Sequence, residues 1–313
     1  MIVVIARRVL QSIALLFAVT FIIFLLMSMR GEDVVLNLLG EAATDEQIAL
    51  RAAQLGLDQP LLVRYATWLA HAAVGDFGAS WANGSSVSLQ LAQRVPVSLS
   101  LVTGAVLVTA IVSAVIGLAA AFSRGWVDRA LQITAVTIAA LPGFWVALIL
   151  VTVFAIQLRL FPATGYVSPD RDASAWAAGL VLPVAALAIG AAADTAHQVR
   201  GAAVDVLEQD YIRTLRAQGV SPWSLVFRHV LRNAAVPALT LLGLQFVGML
   251  GGSIIIENIF ALPGLGSVIV TAASIGDLPP VLGAVTIIVI AVLVMNLLVD
   301  LAIAWLNPKA RTR

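Results

Sequence analysis

The sequence contains no cysteine, which excludes disulfides, thiolate nucleophiles and thiolate metal sites together. Histidine is nearly as scarce, and His71, His197 and His229 are too scattered to read as a His-rich metal centre. The sole lysine is Lys309. A P-loop needs its lysine after a Gly-rich turn that opens a helix, so no P-loop is present and ATP hydrolysis by the chain alone is not expected. Charged residues make up 11% of the chain, where a soluble domain carries about a quarter. The formal net charge of +1 gives no field to recruit nucleic acid. What remains is apolar: 61% of 313 residues, with a mean hydropathy of +1.01. A compact fold keeps a large surface, so this composition excludes a soluble globular enzyme, and it is far too apolar for a disordered chain.

About 20 apolar residues cross roughly 30 Å of hydrocarbon. Six stretches meet that length, at 9–29, 97–122, 130–157, 178–198, 234–256 and 281–306. The expectation is an all-α membrane protein with six transmembrane helices. Arginine and the single lysine set the orientation. With the N-terminus in the cytoplasm, 12 of them lie inside and 6 outside, while Glu32, Asp33, Glu41, Asp45, Glu46 and Asp58 lie outside. Both termini are therefore expected to be cytoplasmic. Arg7 and Arg8 before an apolar run resemble a signal peptide, but the run is long and bulky and no small-x-small site follows. The first span is expected to be retained.

Two connections stand out. The outer segment 30–96 contains Thr44 and Gln47 at capping-box spacing, predicting a short helix over 45–55 that Gly56 stops. Loops of this length are usually functional, although a cap that only shields helix ends fits the same composition. The inner segment 199–232 places Val204, Leu207, Tyr211 and Leu215 at helical spacing, and then Trp223, Val226 and Phe227. Two short amphipathic helices are predicted, with Gly219 ending the first, Ser221 capping the second and Pro222 in its first turn. A docking surface and a plain solvated loop both accommodate this pattern.

The run Asp210-Tyr211-Ile212-Arg213-Thr214-Leu215-Arg216-Ala217-Gln218-Gly219, followed by Arg232-Asn233 and Pro237, resembles the EAA loop of ABC importer permeases. It is similar in particular to the dipeptide/oligopeptide permease family, where Lys stands in place of Gln218. The likeness continues through Gly56-Leu57-Asp58-Gln59-Pro60, Gly75-Asp76-Phe77-Gly78, Arg94-Val95-Pro96, Leu141-Pro142, Phe161-Pro162 and Glu257 to Gly266. It departs where Arg30-Gly31-Glu32-Asp33 replaces the family's Pro-Gly-Asp-Pro, and where Asn307-Pro308-Lys309 replaces Asp-Pro-Arg.

The resemblance implies an ABC importer type I transmembrane fold. The first helix would occupy 1–29, the outer segment 30–96, the type-1 core 97–306 and a cytoplasmic tail 307–313. It implies a multi-pass protein of the bacterial inner membrane that carries dipeptides or oligopeptides, with nickel chelates and glutathione as alternative cargo. Implied partners are a second homologous permease forming a heterodimer, two ABC ATPase domains, an extracytoplasmic substrate-binding protein and membrane lipid, with no nucleic acid. ATP and Mg would bind the ATPase domains, leaving this chain without cofactor, metal or catalytic residue. A coupling helix near 220–225, with Arg213, Arg216, Ala217, Gly219, Ser221, Pro222 and Trp223, would meet the ATPase. Asp58, Gly75, Asp76, Glu257, Phe260, Pro263, Gly264 and Gly266 would serve the binding protein or an outer gate.

Ionisable groups inside spans are costly and mark function by default. Asp194 and His197, three apart on one helix face, are candidates for the path or a gate, or for an interfacial position. Glu257 and Asp300 lie nearer span ends, where headgroup water is expected to reach them. Gly104, Gly117, Gly190, Gly243, Gly248, Gly251 and Gly252 suit close helix packing, and Pro142 and Pro183 suit kinks. An ion-coupled secondary transporter, which would show internal repeats and central charges, is the rival from another class.

Overall fold

The computed structural model describes residues 2–29, 34–36, 39–40, 42–123 and 126–306. The predicted tail 307–313, with Lys309, and the acidic residues Glu32, Asp33 and Glu41 lie outside the described residues. The chain is helical: α1 (Ile2–Ser28), α2 (Asp45–Gln54), α3 (Leu61–Ala72), α4 (Val87–Phe122), α5 (Trp126–Ala139), α6 (Gly143–Leu150), α7 (Ala173–Leu207), α8 (Asp210–Ala217), α9 (Pro222–Ser224), α10 (Leu231–Ile259), α11 (Leu265–Ile275) and α12 (Leu278–Leu306). Val151–Gln157 and Leu225–Val230 are π-helical. Among the described residues the only β pairing is an isolated bridge between Ala79 and Ser86.

Among the described residues, five helices are long and apolar enough to cross a membrane. A sixth crossing exists only if α5 and the helical run Gly143–Gln157 form one span, and they are bent by 96° where they meet. The kink expected at Pro142 in the third span, 130–157, is thus a full break into a bent pair. Pro142 has no N–H to donate, and its ring collides with the preceding turn, so the helix stops before it. Pro183 does not interrupt α7. Gly179 stands four residues earlier, where the ring would press on the backbone, and gives it room to adjust. Helices also overrun their predicted ends. α4 begins ten residues before 97 and α7 continues nine past 198, because the polar first and last turns make helix as readily as the apolar middle.

The chain divides into two compact units. The first comprises Met1–Ser98 and Pro263–Leu293. There Phe24, Tyr65, Leu278 and Leu282 form one buried cluster, and Val87, Leu91, Leu265 and Ala284 form another. Tyr65 fixes α3 to α1: its ring meets Phe21 and Phe24 edge-on, and its hydroxyl lies 2.8 Å from Thr20 Oγ1. The predicted capping box is present, with Gln47 N donating to Thr44 Oγ1 and Thr44 N donating to Gln47 Oε1. Gly56, at φ +67°, closes α2: its N–H bonds the carbonyl of Ala53, and that of Leu57 bonds Ala52.

The second unit comprises Leu99–Leu262 and Val294–Arg313. Its core is the alanine face of α7, where Ala186, Ala188, Ala191, Ala192, Ala193 and Ala196 are buried. Small side chains let neighbouring helices approach closely. A Cβ on Gly117 would stand 2.7 Å from the Ala196 carbonyl oxygen, and one on Gly104 would stand 3.0 Å from Val184 Cγ2. A Cβ added at Gly190, Gly248 or Gly251 would meet nothing within 4 Å, so the packing role expected of all seven glycines does not hold for these three inside the chain. Asp172 caps α7 by accepting from the backbone of Ser174 and Ala175. The Ser174 hydroxyl, then the Ala175 amide, hold this exposed carboxyl below its usual range. The cap is therefore fully made above that range and is lost as pH falls through the lowered value.

Candidate coupling and docking sites

The inner connection lies wholly in the second unit. α8 ends at Gly219, whose φ of +78° closes a Schellman turn: Gly219 N donates to the Arg216 carbonyl and Val220 N to that of Leu215. A Cβ there would meet nothing within 4 Å. The glycine is thus required by backbone conformation rather than by crowding within the chain. Ser221 then caps α9, accepting at 3.4 Å from Ser224 N.

Burial divides these apolar residues and their neighbours into two sets. Ile212, Leu225 and Val230 are buried and pack with Ala203 and Ala234, while Leu215 is half-buried against them. Tyr211, Trp223 and Phe227, expected as apolar positions at helical spacing, are 43%, 74% and 57% exposed. The π-helical turn accounts for the division. Its wider i→i+5 repeat brings Leu225 and Val230, five apart, to one side, where a 3.6-residue period separates them. The second short helix is also not a separate element, since α9, the π turn and α10 follow without a gap. The Trp223 and Phe227 rings stack at 5.7 Å and 8°. Arg216 is exposed nearby in sequence, and Arg213 pairs with Asp210 at 3.6 Å in the open.

In the outer segment, Gly75 at φ +86° closes α3, and Asp76 Oδ1 accepts from Gly78 N at 2.9 Å. Ser88 Oγ donates to the Gly75 carbonyl and accepts from Phe77 N, tying this turn to the start of α4. Asp58 and Asp76 are exposed. Burial holds the Arg64 pKa below its ordinary value, against an opposing pull from Asp58. Sequence reasoning missed a buried latch: Asp277, 3% exposed, accepts from the Ser80 hydroxyl and, at 2.8 Å, from Trp81 N. These partners lie almost 200 residues apart, and no local pattern marks them. Replacing Asp277 by alanine strands the buried Ser80 hydroxyl and the half-buried Trp81 N–H and is expected to cost about 2–4 kcal/mol. Faster cleavage of the 30–96 segment by added protease would report it; an unchanged rate would reject the latch.

Residues 257–266 divide between the units. In the second unit, Glu257 and Phe260 are buried, which corrects the expectation that headgroup water reaches Glu257. Ala261 takes φ +51° at the left-handed position of a helix-ending turn, with Leu262 N bonded to the Glu257 carbonyl. An L-residue there costs about 1–2 kcal/mol. Ala261→Gly relieves that strain but loosens the unfolded chain, so a net gain of about 0.5–1 kcal/mol is expected in thermal unfolding; a lowered midpoint would contradict it. In the first unit, Pro263 is exposed, Gly264 precedes α11, Gly266 is buried, and Leu265 N donates to Ser98 Oγ.

Asp194 and His197 are both exposed on α7. His197 borders a small recess with Gly117, Gln132 and Arg200. Among the described residues, no group of three His, Asp or Glu could hold a metal ion.

Comparison with known proteins is consistent along the whole chain. Residues 113–312 match the family described as binding-protein-dependent transport system inner membrane component. Residues 1–102 match the N-terminal family of the same membrane component. A putative peptide transport system permease protein of Brucella abortus (strain 2308) is 36% identical over 308 residues, covering 98% of each chain. A glutathione transport system permease protein of Salmonella typhi is 36% identical over 306 residues, covering 97% of each. In fold, the chain is similar to a structure of the MetNI methionine ABC transporter in an inward-facing conformation. The TM-score is 0.58 at 16% identity, over 70% of this chain and 97% of that one. Apolar helices of spanning length, matches to both family segments and full-length relatives lead to one assignment: the chain belongs to the binding-protein-dependent transport system inner membrane component family, as a multi-pass protein of the bacterial inner membrane.

Proposed function

We propose that the chain is the permease subunit of an ABC importer for dipeptides and oligopeptides, forming the membrane path for cargo delivered by an extracytoplasmic binding protein. Separate ATPase domains bind ATP and Mg and supply the energy. The observation that carries this reading is the inner connection. An exposed aromatic stack, Trp223 on Phe227, stands beside the Gly219 turn and continues without a gap into the spanning helix α10. A partner that moves this stack moves α10 with it, which is the rigid-body kind of switching that alternating access needs. Arg213, Arg216, Ala217, Ser221 and Pro222 complete the coupling surface.

The 12-to-6 distribution of Arg and Lys supports cytoplasmic termini and six crossings, with the bent pair as the third. Asp58, Asp76 and Pro263 are the exposed outer residues for the binding protein. The turn glycines Gly75, Gly264 and Gly266, with buried Glu257 and Phe260, shape the backbone that presents them. Asp194 and His197 are exposed on a spanning helix, where contact with lipid is costly. They face the path or a second, homologous permease in a heterodimer.

Glutathione is the second reading for cargo, supported by the 36% identity to a glutathione permease. The test is purification in mild detergent with whatever binds, followed by reconstitution. Copurified ATPase, second permease and binding protein, with ATP turnover raised by a dipeptide-loaded binding protein, is the expected result. Stimulation by glutathione alone would reject the dipeptide reading, and turnover without any binding protein would reject the importer.

A further inference from the structure

The first unit holds a cavity of about 340 Å³ walled by Phe24, Trp68, Trp81, Leu278 and Leu282. That volume falls at the lower end of small-molecule sites, about 300–1,000 Å³, which characteristically combine apolar walls with a few polar groups. Two opposite charges line this one, Arg64 and Asp76. Arg64 lies over the Phe24 ring, 5.5 Å from its centroid, and no described residue accepts a hydrogen bond from its guanidinium. Asp76 uses Oδ1 on Gly78 N and leaves Oδ2 unengaged among the described residues. The two make no ion pair with each other. A half-buried guanidinium whose five donors bond no described residue, with Asp58 acting on it only through its charge, has room for an anion. A carboxylate on the same wall calls for a cation.

The geometry points to a binding site for a zwitterion with an apolar or aromatic side chain: a free amino acid or short peptide whose carboxylate meets Arg64 and whose ammonium meets Asp76. The aromatic walls take the side chain and add cation–π attraction for the ammonium. This makes the outer segment a ligand site in its own right, in addition to a surface for a protein partner. It rests on the cavity and stands independently of what the assembled transporter carries.

The test uses the full chain in phosphatidylcholine nanodiscs, titrated with Ala-Phe, N-acetyl-Ala-Phe and Ala-Phe amide and followed by calorimetry. Ala-Phe is expected to bind, with each singly blocked form at least tenfold weaker. In Arg64→Gln, Ala-Phe and its amide become equal, and in Asp76→Asn, Ala-Phe and its N-acetyl form become equal. A folding defect alone lowers all three affinities together, and the three-probe comparison on the unaltered chain needs no variant. Absence of saturable binding, equal affinity for the three probes on the unaltered chain, or discrimination between Ala-Phe and its amide that survives Arg64→Gln would each overturn the site. Failure of peptide-stimulated ATP turnover with intact Ala-Phe binding would reject the cargo reading and leave this site standing.

Discussion

Replacing Trp223 and Phe227 together by alanine is expected to leave the chain folded in the membrane and to lower peptide-driven ATP turnover of the assembled transporter at least tenfold. Neither ring contributes to the buried cluster of Ile212, Leu225 and Val230, so their removal opens no cavity. Both are held in one orientation by mutual stacking, which reduces the entropy lost when a partner closes over them. Exposed aromatics of this kind act as anchors at protein contacts, where truncation costs about 2 kcal/mol or more, roughly 30-fold in affinity. Thermal unfolding of the variant chain should be unchanged while the ATPase is lost on copurification. A bulky residue at Gly219 acts on the same contact by another route. The left-handed backbone there costs an L-residue about 1–2 kcal/mol, and relieving it shifts Arg216 relative to Trp223. Normal stimulated turnover in the double variant would reject the inner connection as the coupling element.

A second large effect, on stability, is expected at Gly117. A single methyl there would stand 2.7 Å from the Ala196 carbonyl oxygen and 2.8 Å from Val199 Cβ. The first is helix backbone and the second a branched carbon at the base of its side chain, so neither can swing aside. Separating α4 from α7 forfeits dispersion contacts along the alanine face, and overpacking of this kind costs about 1–3 kcal/mol. Gly117→Ala should lower the unfolding temperature measurably, and Gly117→Leu should prevent accumulation of folded protein. Gly190→Ala supplies the contrast. It sits on the same helix α7 with nothing within 4 Å of its added methyl, and helix propensity there favours alanine by about 0.8–1 kcal/mol. Equal midpoints for Gly117→Ala and the unaltered chain would show that the α4–α7 approach is looser than described.

Local chemistry was readable wherever a few neighbouring residues settle the outcome. The Thr44–Gln47 box, the stops at Gly56 and Gly219 and the break before Pro142 all follow from a side-chain acceptor, a glycine φ or a missing N–H within one turn. Which apolar residues of the inner connection turn inward was not legible, because a π turn changes the helical period and no residue type announces it. The Asp277 latch and the Arg64–Asp76 cavity escaped notice for a different reason. Each joins segments that meet only after folding.

By itself, the sequence determined the solvent. An excess of apolar residues, low charge and long uncharged runs leave lipid as the only medium in which this chain can bury its surface. It also determined the family, because the matching motifs run in order along nearly the whole chain. Tertiary structure alone decided which side chains face inward. Glu257 is buried, Ile212 and Leu225 fill the core of the inner connection, and only some glycines serve packing. The physical reason is that hydropathy and turn chemistry act over a few residues, whereas burial is set by whatever distant segment happens to fill the space beside them.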